Sequence, residues 1–171
     1  MFALRQVVEG IVDSLLRAVL VAALLFAPGA RAAGGGPDDS IGRGARPADP
    51  AIEAIQAAVA KSDWPRAREL ARASVERDPR NADYHNLYAY ALRMGDRPEM
   101  DLVFRHYNEA LRIDPKHRGA HEYLGEAYLQ TGNLERAKQE LGALDELCFL
   151  PCKEYSTLKQ AIADFEAKQA R

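Results

Sequence analysis

At 171 residues, with 23 basic and 25 acidic side chains and a formal charge of −2, the chain has room for one core of ordinary size. Its charges are near balance and interleaved, which excludes a nucleic-acid or anionic-membrane surface as the main partner site. Ala, Leu, Glu, Arg and Lys dominate, and no alternating run of Val, Ile and Thr points to a strand, so the expected class is all-α.

Residues 1–32 read as a signal peptide. Arg5 and Arg17 supply positive charge, Ala18 to Ala27 is an unbroken apolar run, and Ala30-Arg31-Ala32 fits a small-x-small cleavage site. That run is short against the roughly 20 residues of a membrane span. Glu9 and Asp13 dilute the leading charge, so an uncleaved anchor is the alternative, and only that form would associate with a membrane. Export to the bacterial periplasm is the expected location. Residues 33–49 carry five Gly and two Pro with almost nothing large and apolar, which reads as a flexible linker. Gly42-Arg43-Gly44 has no preceding strand and is not a nucleotide loop.

From Pro50 a helical pattern begins, and residues 50–171 form the folded domain. In 50–79, Ala51, Ala54, Ile55 and Ala58 make a thin stripe and Ser62-Asp63-Trp64-Pro65 breaks it, with Asp63 placed to cap a second helix and Pro65 in its first turn. Ala67, Leu70, Ala71 and Val75 follow, and Asp78-Pro79 ends the unit. In 81–115 the first-helix stripe reads Tyr84, Leu87, Tyr88, Ala91. Gly95-Asp96 breaks the pattern, Pro98 is expected at the start of a longer second helix carrying Val103, Tyr107 and Ala110, and Asp114-Pro115 closes it.

Residues 118–147 are the clearest unit. Leu124, Ala127 and Tyr128 share a face with His121 and Gly125, Thr131-Gly132-Asn133 breaks the helix, and Ala137, Leu141 and Leu144 repeat the stripe. Gly125 and Ala137 are small where the two helices of this hairpin would cross. His121, Leu124, Gly125, Tyr128, Ala137, Leu141 and Leu144 occupy the places of the tetratricopeptide repeat pattern, with His121 and Leu144 as departures, and the chain resembles that family over about residues 50–147. The resemblance implies an α-solenoid of three helical hairpins in a right-handed superhelix. It also reads the second repeat as lacking a residue before Tyr84 and holding an insertion at Arg97-Pro98-Glu99, an edge that is a candidate contact surface. A last amphipathic segment, 153–168, with Tyr155, Leu158, Ile162 and Phe165 on one face, is expected to cap the stack.

Cys148 and Cys152 are the only cysteines. In an exported chain a disulfide is the first reading, fixing the bend into the capping helix. A redox-active pair, or copper held on two thiolates, is the alternative. His117 and His121 have a spacing that can hold a metal, yet His121 also fills the repeat's buried aromatic place, and no metal site or cofactor is expected. Trp64 is read as packing rather than as a ligand platform. No nucleophile, phosphate loop or paired acid arrangement points to an enzyme.

The expected function is therefore a non-catalytic binding module. Family geometry puts Gln56 and Val59, then His85, Ala89 and Arg93, then Glu122, Glu126 and Gln130 along a partner-binding groove. A carboxylate clamp would need basic groups where this chain has Ile52, Gln56, Gly119 and Tyr123, and only Asn86 matches. Arg93 beside Glu122 and Glu126 suits a partner segment with positive charge next to an apolar residue, unless the two acids are a solvated face. Self-association through the open first repeat, at Ala51, Ala54 and Ala58, is the expected route to a homo-oligomer.

Overall fold

The computed structural model describes residues 49–170. The leader at 1–32 and the linker as far as residue 48 lie outside them. Among the described residues there are seven helices and no strand: α1 Pro50–Ala60, α2 Trp64–Arg77, α3 Ala82–Met94, α4 Met100–Ile113, α5 Arg118–Gln130, α6 Leu134–Leu147 and α7 Lys153–Gln169. Three antiparallel pairs stack in chain order and α7 lies on α5 and α6, which is the α-solenoid of three hairpins with a capping helix. No helix among the described residues is long and apolar enough to cross a membrane.

The helix starts follow from local chemistry. The side chains of Asp49, Asp63, Asn81 and Asn133 accept from backbone N–H groups of the first turns of α1, α2, α3 and α6. Pro50 and Pro65 stand where a missing N–H costs nothing. The turns 61–63 and 131–133 each hold one residue at positive φ, Ser62 at 54° and Gly132 at 80°. The second hairpin differs, since its turn spans 95–99. Pro98 is part of that turn rather than the start of α4, and α4 has 14 residues like α2 and α6, so the insertion lengthens the loop and not the helix.

Of the stripe expected on α3, Tyr84, Tyr88 and Ala91 are packed, and a second stripe, Ala89 and Leu92, is buried beside it. Ala89 and Leu92 enter the core with Val103, Tyr107, Leu124 and Ala127, and Tyr88 packs on it. Ala91 instead meets Ala58 and Ala67 of the first repeat, and Tyr84 Oη donates to Asp49 Oδ2 at 2.6 Å. A helix in the middle of a stack buries one face on each neighbour, so two stripes coexist on it and either can be taken for the inner one. Gly125 also has another role than expected: a Cβ there would come within 2.5 Å of Leu158 Cδ2, so its missing side chain makes room for the capping helix. Leu158 and Ile162 fill the last core layer with Leu129, Ala137 and Leu144. Tyr155 and Phe165 pack beside them as the amphipathic pattern predicts.

Candidate functional site

One face of α3 and α5 gathers the buried polar groups. Arg93 Nη2 donates to Glu126 Oε2 at 2.6 Å, with the Arg93 side chain only 8% exposed. Its guanidinium lies 5.6 Å from the ring centre of Tyr90 and 6.0 Å from that of Tyr123, and those rings are themselves 4.7 Å apart. Burial opposes the charge on Arg93, but Tyr107 and Glu126 outweigh it and its pKa is raised. Arg93 Nε and the Tyr107 hydroxyl are both buried without a hydrogen-bond partner, as is Asn86 Oδ1. Burial holds the Tyr107 hydroxyl well above the usual phenol range.

Glu122 lies one turn before Glu126 and is 7% exposed. It makes no hydrogen bond or ion pair with the described residues, and its carboxyl oxygens are not among the fully buried unpartnered atoms, so they keep a small contact with solvent. Burial first, then the Glu126 and Glu154 carboxylates, push its pKa up to about 7 against the pull of Lys153 and Arg93. The result is a carboxyl that holds its proton to a higher pH than an ordinary glutamate. Burial, with Glu122 next, likewise pushes the neighbouring Tyr123 up to about 12.

Of the residues expected to line the groove, the structure brings Arg93, Glu122 and Glu126 together. Gln56 and Gln130 are exposed further along, and Val59 packs on the alanine core of the first repeat. His85 and Ala89 are turned inward: Ala89 is fully buried in the core, and His85 points to His106 and the Pro79 carbonyl. Asn86, Tyr90 and Tyr123 take the facing places instead. Tyr90 could have been found from the sequence, because neither buried stripe of α3 uses it.

The histidines are engaged in the fold. His117 Nδ1 accepts from Ala120 N–H at 3.1 Å and Nε2–H faces Asp83 Oδ1 at 3.1 Å. His121 is half-buried and not a core residue: it meets Glu140 Oε2 at 2.7 Å and the Pro115 carbonyl at 3.1 Å. All four ring nitrogens of this spacing are thus occupied, and no cluster of three metal-ligating side chains occurs among the described residues. Cys148 and Cys152 are disulfide-bonded with Cα atoms 5.8 Å apart, joining the end of α6 to the start of α7, and a bridged pair offers no thiolate to copper. Trp64 packs edge-on against Tyr90 with centroids 6.2 Å apart, and its other side opens on a 540 Å³ cleft with Arg68, Gly95 and Arg97 at the enlarged turn.

Models described as tetratricopeptide repeat match residues 52–99 and 104–162, together more than half of the chain. No curated protein matches it. Among solved structures it is similar to the type III secretion translocator chaperone SycD of Yersinia enterocolitica, with a TM-score of 0.60 and 16% identity over 71% of this chain and 84% of that one. The same chaperone in complex with a peptide of the translocator YopD gives 0.59 and 18% over 70% and 92%. The TPR2B domain of yeast Sti1, in a complex with pHsp70, gives 0.59 and 20% over 69% and 94%. At these identities the likeness is one of fold.

Proposed function

The chain belongs to the tetratricopeptide repeat family, and on that premise we propose that it is a non-catalytic protein-interaction module. Its concave face, formed by the first helices of the repeats, takes a peptide or protein segment carrying a basic residue beside an apolar one. The observation that carries this reading is Glu122, only 7% exposed and paired with none of the described residues, beside the Arg93–Glu126 pair. An ammonium or guanidinium set against Glu122 restores the partner that burial denies it and keeps it ionised. Tyr90 and Tyr123 give the neighbouring apolar side chain a flat surface. The complexes of SycD with a YopD peptide and of Sti1 with pHsp70 support a peptide or protein as ligand class. The two acids disfavour the acidic chain terminus that a carboxylate clamp would hold.

Selection from a random peptide library tests this directly. Enriched peptides are expected to carry Lys or Arg next to an apolar residue, and Glu122→Gln should weaken their binding most at low salt. Enrichment of acidic termini, or binding indifferent to Glu122→Gln, overturns the reading. Glu126 is a poor choice for this test, because its loss leaves a buried guanidinium uncompensated at a cost of order 3 kcal/mol.

The site of action we propose is the bacterial periplasm, on the leader pattern at residues 1–32. The mature protein should then begin near Ala33 on N-terminal sequencing. Intact Met1 in the membrane fraction would support an anchor instead.

A further inference from the structure

Two surfaces at opposite ends of the stack lack a partner among the described residues. At the end, Phe149 is 102% exposed and Leu150 72%, and with the marginal Met94 they are the exposed large hydrophobics among the described residues. They sit at the tip of the loop closed by the Cys148–Cys152 bond, so the bridge holds an apolar knob out in solvent. At the beginning, α1 and α2 leave a groove of about 310 Å³ lined by Pro50, Ala51, Ala54, Leu70, Ala73 and Arg77. No earlier repeat among the described residues covers it, and its volume is at the low end of sites that take a small apolar ligand, about 300–1,000 Å³. Ala58, expected on this surface, is instead buried beneath it.

We propose that the chain self-associates head to tail, with Phe149 and Leu150 of one copy seated in the groove between α1 and α2 of the next. The knob cannot serve its own groove, since α1 and α2 make no packing contact with α5, α6 or α7. Charge selects this arrangement over a symmetric one. Asp145 and Glu146 are exposed in the last turn of α6 just before the knob, against the single exposed Lys153 just after it, whereas exposed Arg77, which donates to Tyr84 Oη at 2.6 Å, borders the groove. Pairing two grooves would set Arg77 against Arg77. Pairing knob with groove sets acid against base and repeats along an open chain of copies, because a heterologous contact need not close. The same two acids oppose seating of the knob on an anionic lipid surface.

The test uses the oxidised chain from Ala33 onward, the form that the proposed processing leaves, in sedimentation velocity across a concentration series. Wild type should show mass growing beyond a dimer with concentration. The double variant Phe149→Ser/Leu150→Ser and the groove variant Ala54→Arg change exposed positions, and circular dichroism should show both folded. Each should weaken association at least about tenfold, the scale of losing one anchoring side chain. Mixed one to one, they should form a heterodimer and nothing larger, because the mixture holds one intact knob and one intact groove. Wild type that stays monomeric, self-association that survives the double variant, or a mixture that stays monomeric overturns the proposal. So does binding to phosphatidylglycerol vesicles that the double variant abolishes while mass does not grow.

Discussion

His85 Nδ1 and His106 Nδ1 stand 2.9 Å apart, and the group on the far side of His85 decides which of them holds the proton. The Pro79 carbonyl, 3.0 Å from His85 Nε2, can only accept, so that nitrogen carries hydrogen. In a neutral His85 the Nδ1 is then a lone pair and His106 Nδ1–H donates to it. His121 meets a backbone carbonyl in the same manner one repeat later, but its Nδ1 faces the Glu140 carboxylate, so both of its nitrogens donate and the imidazolium is the fitting form. One ring position in two repeats thus meets two different partners, an imidazole in the second repeat and a carboxylate in the third.

Acid should therefore act on the second repeat first. Burial, then His85 and Arg105, lower the His106 pKa to about 4, with Glu109 opposing. The unfolded chain takes its proton near 6.5 and the folded one only near 4, so stability is lost as pH falls across that window, by about 1–2 kcal/mol after allowance for solvent screening. Urea titrations should show this slope in wild type and its loss in His106→Gln. Parallel curves for the two proteins would refute the tautomer pair as its source.

For His121 burial favours the neutral ring, but Glu140 and the Pro115 carbonyl outweigh it and the pKa is raised. Its contribution is complete below the unfolded value and disappears as pH rises through the folded one. Glu140→Gln should remove that dependence and bring the His121 ring resonances, followed by NMR, to a lower titration midpoint. A midpoint that does not move rules out the ion pair.

Glu122 should work against the fold as pH rises. The folded carboxyl keeps its proton to about 7 while the unfolded one gives it up near 4.5, so stability declines between those values. Glu122→Gln should flatten this decline and be the more stable protein above pH 7, by roughly 1 kcal/mol once partial solvent screening is allowed for. A variant less stable than wild type at pH 8 would contradict the burial argument.

Gly125→Ala should destabilise by about 1–3 kcal/mol, because the added methyl overlaps Leu158. In a Leu158→Ala background the same change should cost almost nothing, although Leu158→Ala is itself costly. Additive effects in this double-mutant cycle would place the clash elsewhere.

Ser62 is the non-glycine residue at positive φ among the described residues, in the turn where the third repeat has Gly132. Ser62→Gly should stabilise by up to about 1 kcal/mol and Gly132→Ala should destabilise by a similar amount, both read from thermal midpoints. Gly132 has no atom near its missing Cβ, so only the backbone angle can produce its effect.

The parts of the fold legible in the sequence were those decided within one turn of chain. Asp63 with Pro65, and Thr131-Gly132-Asn133, announce their turns because caps and positive-φ positions need particular residue types. Pro98 did not, since a fixed φ and a missing N–H suit a loop as well as a first helical turn. The second buried stripe of α3 was hidden beside the first, and with it the exchange of His85 and Ala89 for Asn86 and Tyr90 at the site. Arg93, Glu122 and Glu126 were found because the family's groove places, counted along the first helices, fall on them. The partner of Gly125 was not, because a small residue shows that something comes close without showing which element it is.

The alanine interior of the first repeat makes the two ends of the molecule unequal in how readily they open. Ile55 is its one large fully buried side chain among Ala58, Ala67 and Ala71, whereas the last layer holds Leu144, Leu158 and Ile162. Each methylene left out of a core forgoes roughly 0.8 kcal/mol. Amide exchange should consequently run fastest in α1 and α2 and slowest in α5 and α6. The sole tryptophan, Trp64, belongs to that weaker end, so its fluorescence reports the fraying of one repeat. An optical denaturation curve taken there should fall before the far-ultraviolet signal of the whole chain does, and the gap between the two measures how far the repeats act separately.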